Sequence, residues 1–288
     1  MYQQIIRTFV ISIAILAQVE LPVLAQSDGV LKSRQTRNNG SSVLKSQSRF
    51  LRANNIRIHY LEWNRAGNNT VILLHGLYDN ADTWSTIATL LSQNYRVIAP
   101  DRRGTGLTDK PDDGYAFQTL AQDVLSLIDK LRLRRVAVVG HSAGAGVALT
   151  VAVVKPEAID SAILVDGGFW AKRTELTETE PDPPCNKKPV DCRRIFAIER
   201  GSKDYDAELL YERVSAPTLL IIGIPPKPEA EQFASELREA QNHAERVANK
   251  KLRKGTMVII NETGHWIQRD QPAKLAAIIE SFLKKNSF

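Results

Sequence analysis

The sequence is poor in cysteine and methionine, with two of each in 288 residues. The two cysteines, Cys185 and Cys192, sit together in PPCNKKPVDC. One pair cannot build a disulfide scaffold, and with no histidine nearby it supplies too few ligands for structural zinc. A single local disulfide is the reading that remains for an exported chain. Closing so short a loop contributes about 2–3 kcal/mol in the chain-entropy model. Internal repeats are absent too, which excludes a solenoid. Long apolar runs are missing: TFVISIAILA near the N-terminus falls well short of the roughly 20 residues that span a bilayer.

Charge is also not concentrated on one folded face. The chain carries 38 basic and 32 acidic residues, a net of +6. Between Gln26 and Arg49, five bases (Lys32, Arg34, Arg37, Lys45 and Arg49) face only Asp28, so most of the excess lies there. Residues 26–48 are rich in Ser, Asn, Gln and Gly, the composition of a flexible linker. A nucleic-acid-binding stripe is therefore not expected. Ahead of the linker, MYQQIIR, TFVISIAILA and LPVLA follow the order of a secretory signal, with Val23 and Ala25 where cleavage needs small residues. Residues 1–25 are expected to be removed on export to the periplasm or the medium, leaving no membrane span.

What is present is ordinary globular composition, 43% hydrophobic and 24% charged, enough for one large domain over 49–288. FLRANNIRIHYLEW predicts two strands around Asn54–Asn55. TVILLHG, YRVIAPD, VAVVGHS, AILVDGG, PTLLIIG and TMVIIN predict further strands. Helical patterns lie between most of them. Such alternation predicts an α/β fold, a mostly parallel central sheet with helices on both faces. The alternation breaks over about 169–214, a charged, proline-bearing stretch expected to cap the strand ends where ligands bind.

VAVVGHSAGAG places Ser142 between Gly140 and Gly144, where a strand run becomes a helix run. A serine hydroxyl is a weak nucleophile that needs a base and donors for the oxyanion it creates. A sharp strand-to-helix turn exposes the hydroxyl, glycines remove the Cβ atoms that would clash, and the helix start aims free N–H groups at the reacting atom. LLHG ends another strand, and the N–H groups of Leu77 and Ala143 are the expected oxyanion donors. His75 is expected to fix the loop structurally. His265 follows a strand and a glycine and is the expected general base. His59 lies within an early strand. His141 is expected to point away from the site, and His243 to lie on a solvated helix face. Tyr78, Trp84, Phe169, Trp170 and Trp266 are candidate substrate contacts.

Taken in order, LLHG, DRRGTGLTDKP, GHSAGAG, LVDGG, PTLLIIG and GHW resemble the α/β-hydrolase superfamily over about residues 50–285. The resemblance implies Ser142 as nucleophile, His265 as base, Leu77 and Ala143 as oxyanion donors, and no metal or organic cofactor. It implies structural roles for Asp101 and Arg103. A serine at the elbow sets the chain apart from relatives that open epoxides with an aspartate. The family's usual acid position, after the strand PTLLIIG, is here occupied by Pro226. Asp166, Glu229 or Glu231, or a Ser–His pair with no acid, remain open. The implied activity is hydrolysis of a small carboxylic ester through an acyl-enzyme. The alternatives are amide, thioester or carbon–carbon bond cleavage, and a non-catalytic binding protein on the same fold.

Overall fold

The computed structural model describes residues 45–77, 79–168 and 205–288. The signal-like segment, most of the linker, Tyr78, Trp170, both cysteines and the cap up to residue 204 lie outside the described residues. Eight strands form one sheet: β1 (Gln47–Ala53), β2 (Ile56–Trp63), β3 (Thr70–Leu74), β4 (Arg96–Pro100), β5 (Val136–His141), β6 (Ile159–Val165), β7 (Thr218–Ile224) and β8 (Gly255–Asn261). The described helices are α1 (Ser85–Leu91), α2 (Phe117–Lys130), α3 (Ala143–Val154), α4 (Glu208–Tyr211), α5 (Glu229–Gln232), α6 (Ala234–Arg246), α7 (Ile267–Asp270) and α8 (Pro272–Lys285).

The sheet order is β1-β2-β4-β3-β5-β6-β7-β8. β1 and β2 form an antiparallel hairpin whose turn residues, Asn54 and Asn55, both have positive φ (47° and 63°). That is the left-handed geometry for which asparagine is suited. β2 also runs antiparallel to β4, and every later pairing is parallel. β1 begins at Gln47, inside the stretch 26–48 expected to be linker.

Both faces of the sheet are buried, which is why its central strands read as continuous apolar runs. In β3, Ile72 and Leu74 face a core shared with α2 and α3, while Val71 and Leu73 face a second core shared with α1 and α8. The two-residue period of a strand makes this split. α3 is apolar on all sides and buried from Ala143 to Val153. On α8, Leu275, Ile279 and Phe282 are buried as the spacing predicts, with Ile278 partly so.

The region after β7 is not one continuous helix. It is α5, then α6 beginning beyond Phe233, then a π-helical turn at Val247–Lys251. His243 is buried there rather than solvated, because Ala244, Val247 and Ala248 on the same stretch enter the core. Residues 205–214, the end of the predicted excursion, also pack into the body. Ala207, Tyr211 and Val214 are buried, and the Tyr205 ring stacks on Phe117 at 4.2 Å.

Candidate active site

The site is built at the carboxyl ends of adjacent strands. Ser142 follows β5 and caps the start of α3. Its backbone has φ 54° and ψ −120°, a conformation that costs a non-glycine residue on the order of 1–3 kcal/mol. The surroundings hold it there. The Ser142 N–H donates to the Val165 carbonyl at 2.9 Å, and the Ser142 carbonyl accepts from Ala145 at 3.0 Å. The turn is too tight for side chains: a Cβ on Gly140 would lie 2.1 Å from the Gly144 carbonyl oxygen, and one on Gly144 would lie 2.3 Å from that of Leu74. These contacts press the elbow against the end of β3, where Gly76 lies. A Cβ there would meet the His141 ring at 2.9 Å and the Ser142 Cβ at 3.2 Å. Leu77 directly follows Gly76, and Ala143 is the first residue of α3. The first N–H groups of a helix have no acceptor within it, which leaves the Ala143 amide for a ligand.

His265 lies between β8 and α7, and Asp166 directly follows β6. The His265 Nδ1–H donates to Asp166 Oδ2 at 2.7 Å. The second carboxylate oxygen accepts the Gly223 N–H from β7 at 3.1 Å. Asp166 is buried and has φ 46°. A carboxylate on Nδ1 leaves Nε2 of the neutral ring as the basic nitrogen, the arrangement a general base requires. Of the acid candidates, the structure brings Asp166 to His265. Glu229 and Glu231 are not brought there: both lie exposed on α5, where Glu231 pairs with Lys227 at 3.0 Å. Their helix starts beyond Pro226 and carries them toward solvent.

His141 departs from expectation. It is buried, its Nε2–H donates to the His265 carbonyl at 2.7 Å, and its Nδ1 accepts from Gln268 at 3.1 Å. The two imidazole rings lie 4.6 Å apart. Burial, then the nearby His265, hold its pKa well below the ordinary histidine value. It is a neutral strut that ties the elbow to the His265 loop. His75 is likewise buried and neutral, bonded to the Gly76 carbonyl at 2.8 Å and to the Arg102 N–H at 3.1 Å. Its burial is again the leading cause.

The loop after β4 is structural, as expected. Asp101 accepts from the Ala81 and Leu107 N–H groups and from His59. Arg103 binds Asp123 through two nitrogens at 2.9 and 2.8 Å. Trp266 is partly exposed, with its ring edge-on to His265 at 5.5 Å. Trp84 is fully buried, so it belongs to the core and not to a pocket. Sequence reasoning missed His141, Gln268 and Arg102. The only signal for Arg102 was a second arginine beside Arg103, more cations than one acid can pair. Among the described residues, no group of three or more His, Cys, Asp or Glu gathers as a metal site.

The model of a protein family described as the alpha/beta hydrolase fold matches residues 69–189. An AB hydrolase superfamily protein of Bacillus subtilis is 26% identical over 282 residues, covering 82% of this chain and 97% of that one. An uncharacterized protein of Mycobacterium tuberculosis is 41% identical over 106 residues, 37% of this chain. There the chain spans about a third (31%) of the relative's length. The solved structure of a thermophilic esterase from Thermogutta terrifontis superposes with a TM-score of 0.68 at 20% identity, covering 83% of this chain and 99% of that one. At that identity the likeness is one of fold.

Proposed function

Since this chain belongs to the α/β-hydrolase superfamily, we propose that it is an exported serine hydrolase that cleaves small carboxylic esters through an acyl-enzyme. The observation that carries the reading is the 2.7 Å bond from His265 Nδ1 to a buried carboxylate, at the strand ends that also hold the strained Ser142. His141, next to Ser142 in the chain, bonds the His265 carbonyl and lies beside its ring at a tilt of 48°.

In this mechanism Ser142 Oγ attacks the ester carbonyl carbon while His265 Nε2 takes its proton. Asp166 holds the ring by Nδ1 and stabilises the imidazolium that forms. The Leu77 and Ala143 N–H groups receive the negative oxygen of the tetrahedral intermediate. Its collapse expels the alkoxide, which takes the proton back from His265. Water, deprotonated by the same ring, then attacks the acyl carbon and releases the acid. Trp266, partly exposed beside His265, supplies apolar surface for the ester.

Ser142→Ala tests the reading. Turnover of p-nitrophenyl acetate is expected to fall at least a thousandfold in a variant that folds normally, and fluorophosphonate labelling to disappear. Unchanged turnover would sink the proposal. The rival of a non-catalytic binding protein is motivated by the displaced acid after β7 and by the charged cap, which up to residue 204 lies outside the described residues. The Asp166–His265 bond removes the first of these motives alone, and a folded wild-type protein that never labels would restore the rival. Export is checked by N-terminal sequencing of the mature protein, expected to begin at Gln26.

A further inference from the structure

Two adjacent arginines follow β4, and the fold treats them differently. Arg103 is neutralised by a two-nitrogen bond to Asp123. Arg102 is equally buried but spends its guanidinium on a neutral acceptor: its Nη2–H donates to the Gly76 carbonyl at 2.7 Å. Its Nε has no partner among the described residues. Burial lowers its pKa to about 10, so it stays charged at neutral pH. Asp79 acts on it electrostatically, but among the described residues no carboxylate meets it in an ion pair, whereas Arg103 has Asp123. A buried cation without such a contact is costly, and a merely structural arginine would be expected to make one.

The acceptor explains the arrangement. The Gly76 carbonyl also receives the His75 Nδ1–H at 2.8 Å. The His75 tautomer is settled by its neighbours. The Arg102 N–H donates to His75 Nε2 at 3.1 Å, so Nε2 is the bare nitrogen and Nδ1 carries the hydrogen. The Thr105 hydroxyl in turn donates to the Arg102 carbonyl at 2.7 Å, which anchors that residue. Two donors thus grip one oxygen. A peptide unit is planar and trans, so its C=O and the next residue's N–H point in opposite directions. Gripping the Gly76 carbonyl fixes the aim of the Leu77 N–H.

We propose that Arg102 and His75 are positioning residues for the oxyanion hole, clamping the Gly76–Leu77 peptide so that its N–H meets the charge that develops in the transition state. The inference rests on the ester-hydrolase reading. Donors aimed in advance act on the transition state more than on bound substrate, so loss of aim lowers kcat and spares KM.

Arg102→Met fills the site without a donor. We expect kcat for p-nitrophenyl acetate to fall about ten- to a hundredfold with KM changed less than threefold. Inhibition by benzeneboronic acid, whose tetrahedral adduct on Ser142 places an oxygen in the hole, should weaken by a similar factor. Arg102→Lys, which keeps a cationic donor, should restore at least a third of wild-type kcat. Should Arg102→Met not fold by circular dichroism, Arg102→Gln replaces it. Its amide nitrogen stands where Nε was, two bonds short of Nη2, and the same losses are expected. Wild-type kcat and boronate affinity in whichever variant folds would overturn the proposal, as would a rise in KM with kcat kept. Failure of both to fold would make Arg102 a folding determinant and equally overturn it. Loss of the underlying reading would show separately, as full activity in Ser142→Ala.

Discussion

At the scale of single residues, the proposed relay rests on two side chains held in backbone conformations that L-residues seldom adopt, Ser142 (φ 54°) and Asp166 (φ 46°). The sequence showed the first plainly. The glycines at 140 and 144 and the switch from strand to helix pattern all lie within a few positions of Ser142, and His265 carries its own local signature after β8. The acid was not legible, because its identity depends on which strand end lies beside His265, and that follows from pairings among β6, β7 and β8. His141 was misread for a related reason. Its position in the elbow fixes where its backbone goes, while its partners, Gln268 and the His265 carbonyl, come from far along the chain. In Asp166→Asn the amide can still accept from Gly223 but can also turn its NH₂ toward the ring, favouring the wrong tautomer. We expect kcat to fall by roughly 10²–10⁴ with the fold intact, measured as steady-state ester hydrolysis beside a circular dichroism spectrum. Wild-type kcat would free Asp166 of this role.

At the scale of elements, the elbow is a three-way contact between β5, α3 and the end of β3, and it is closed by backbone meeting backbone. Gly144 shows how little room there is: an added Cβ would lie 2.3 Å from the Leu74 oxygen and 2.6 Å from that of His75. Neither atom sits on a flexible side chain, so α3 must move off β3. Gly144→Ala is expected to cost about 1–3 kcal/mol and lower the thermal midpoint by several degrees. Because the same movement widens the gap between Leu77 and Ala143, ester turnover should fall with it. A scan of unfolding by circular dichroism and a p-nitrophenyl acetate assay check both. The alternation of strands and helices was readable from apolar periodicity. Breaks inside elements were not. The interruption at Phe233 and the π turn at Val247–Lys251 answer to the packing of Ala244, Val247 and Ala248 under the sheet, which no local pattern announces.

At the scale of the whole molecule, two neutral histidines, His75 and His141, are sealed at the junction of loop and elbow. Burial sets both well below the ordinary value near 6.5. The unfolded chain therefore takes up protons below about pH 6.5 that the folded chain refuses. Their contribution is complete above that pH and is lost progressively as pH falls, with a slope of at most about 1.4 kcal/mol per pH unit for each group. Urea midpoints are expected to be level between pH 8 and 7 and to drop between pH 6.5 and 5; a midpoint that holds steady to pH 5 would contradict the neutral assignment. The supply of a carboxylate from β6 has a further result for the chain as a whole. β7 gives Asp166 backbone contacts alone, the Gly223 N–H to its carboxylate and the Ile221 carbonyl to its own N–H. The turn that follows, with Pro226 and Lys227 exposed, is thereby released from any chemical duty. It is a natural place to graft a purification tag or a reporter peptide, and an enzyme carrying one between Pro226 and Lys227 should turn over ester as fast as its parent.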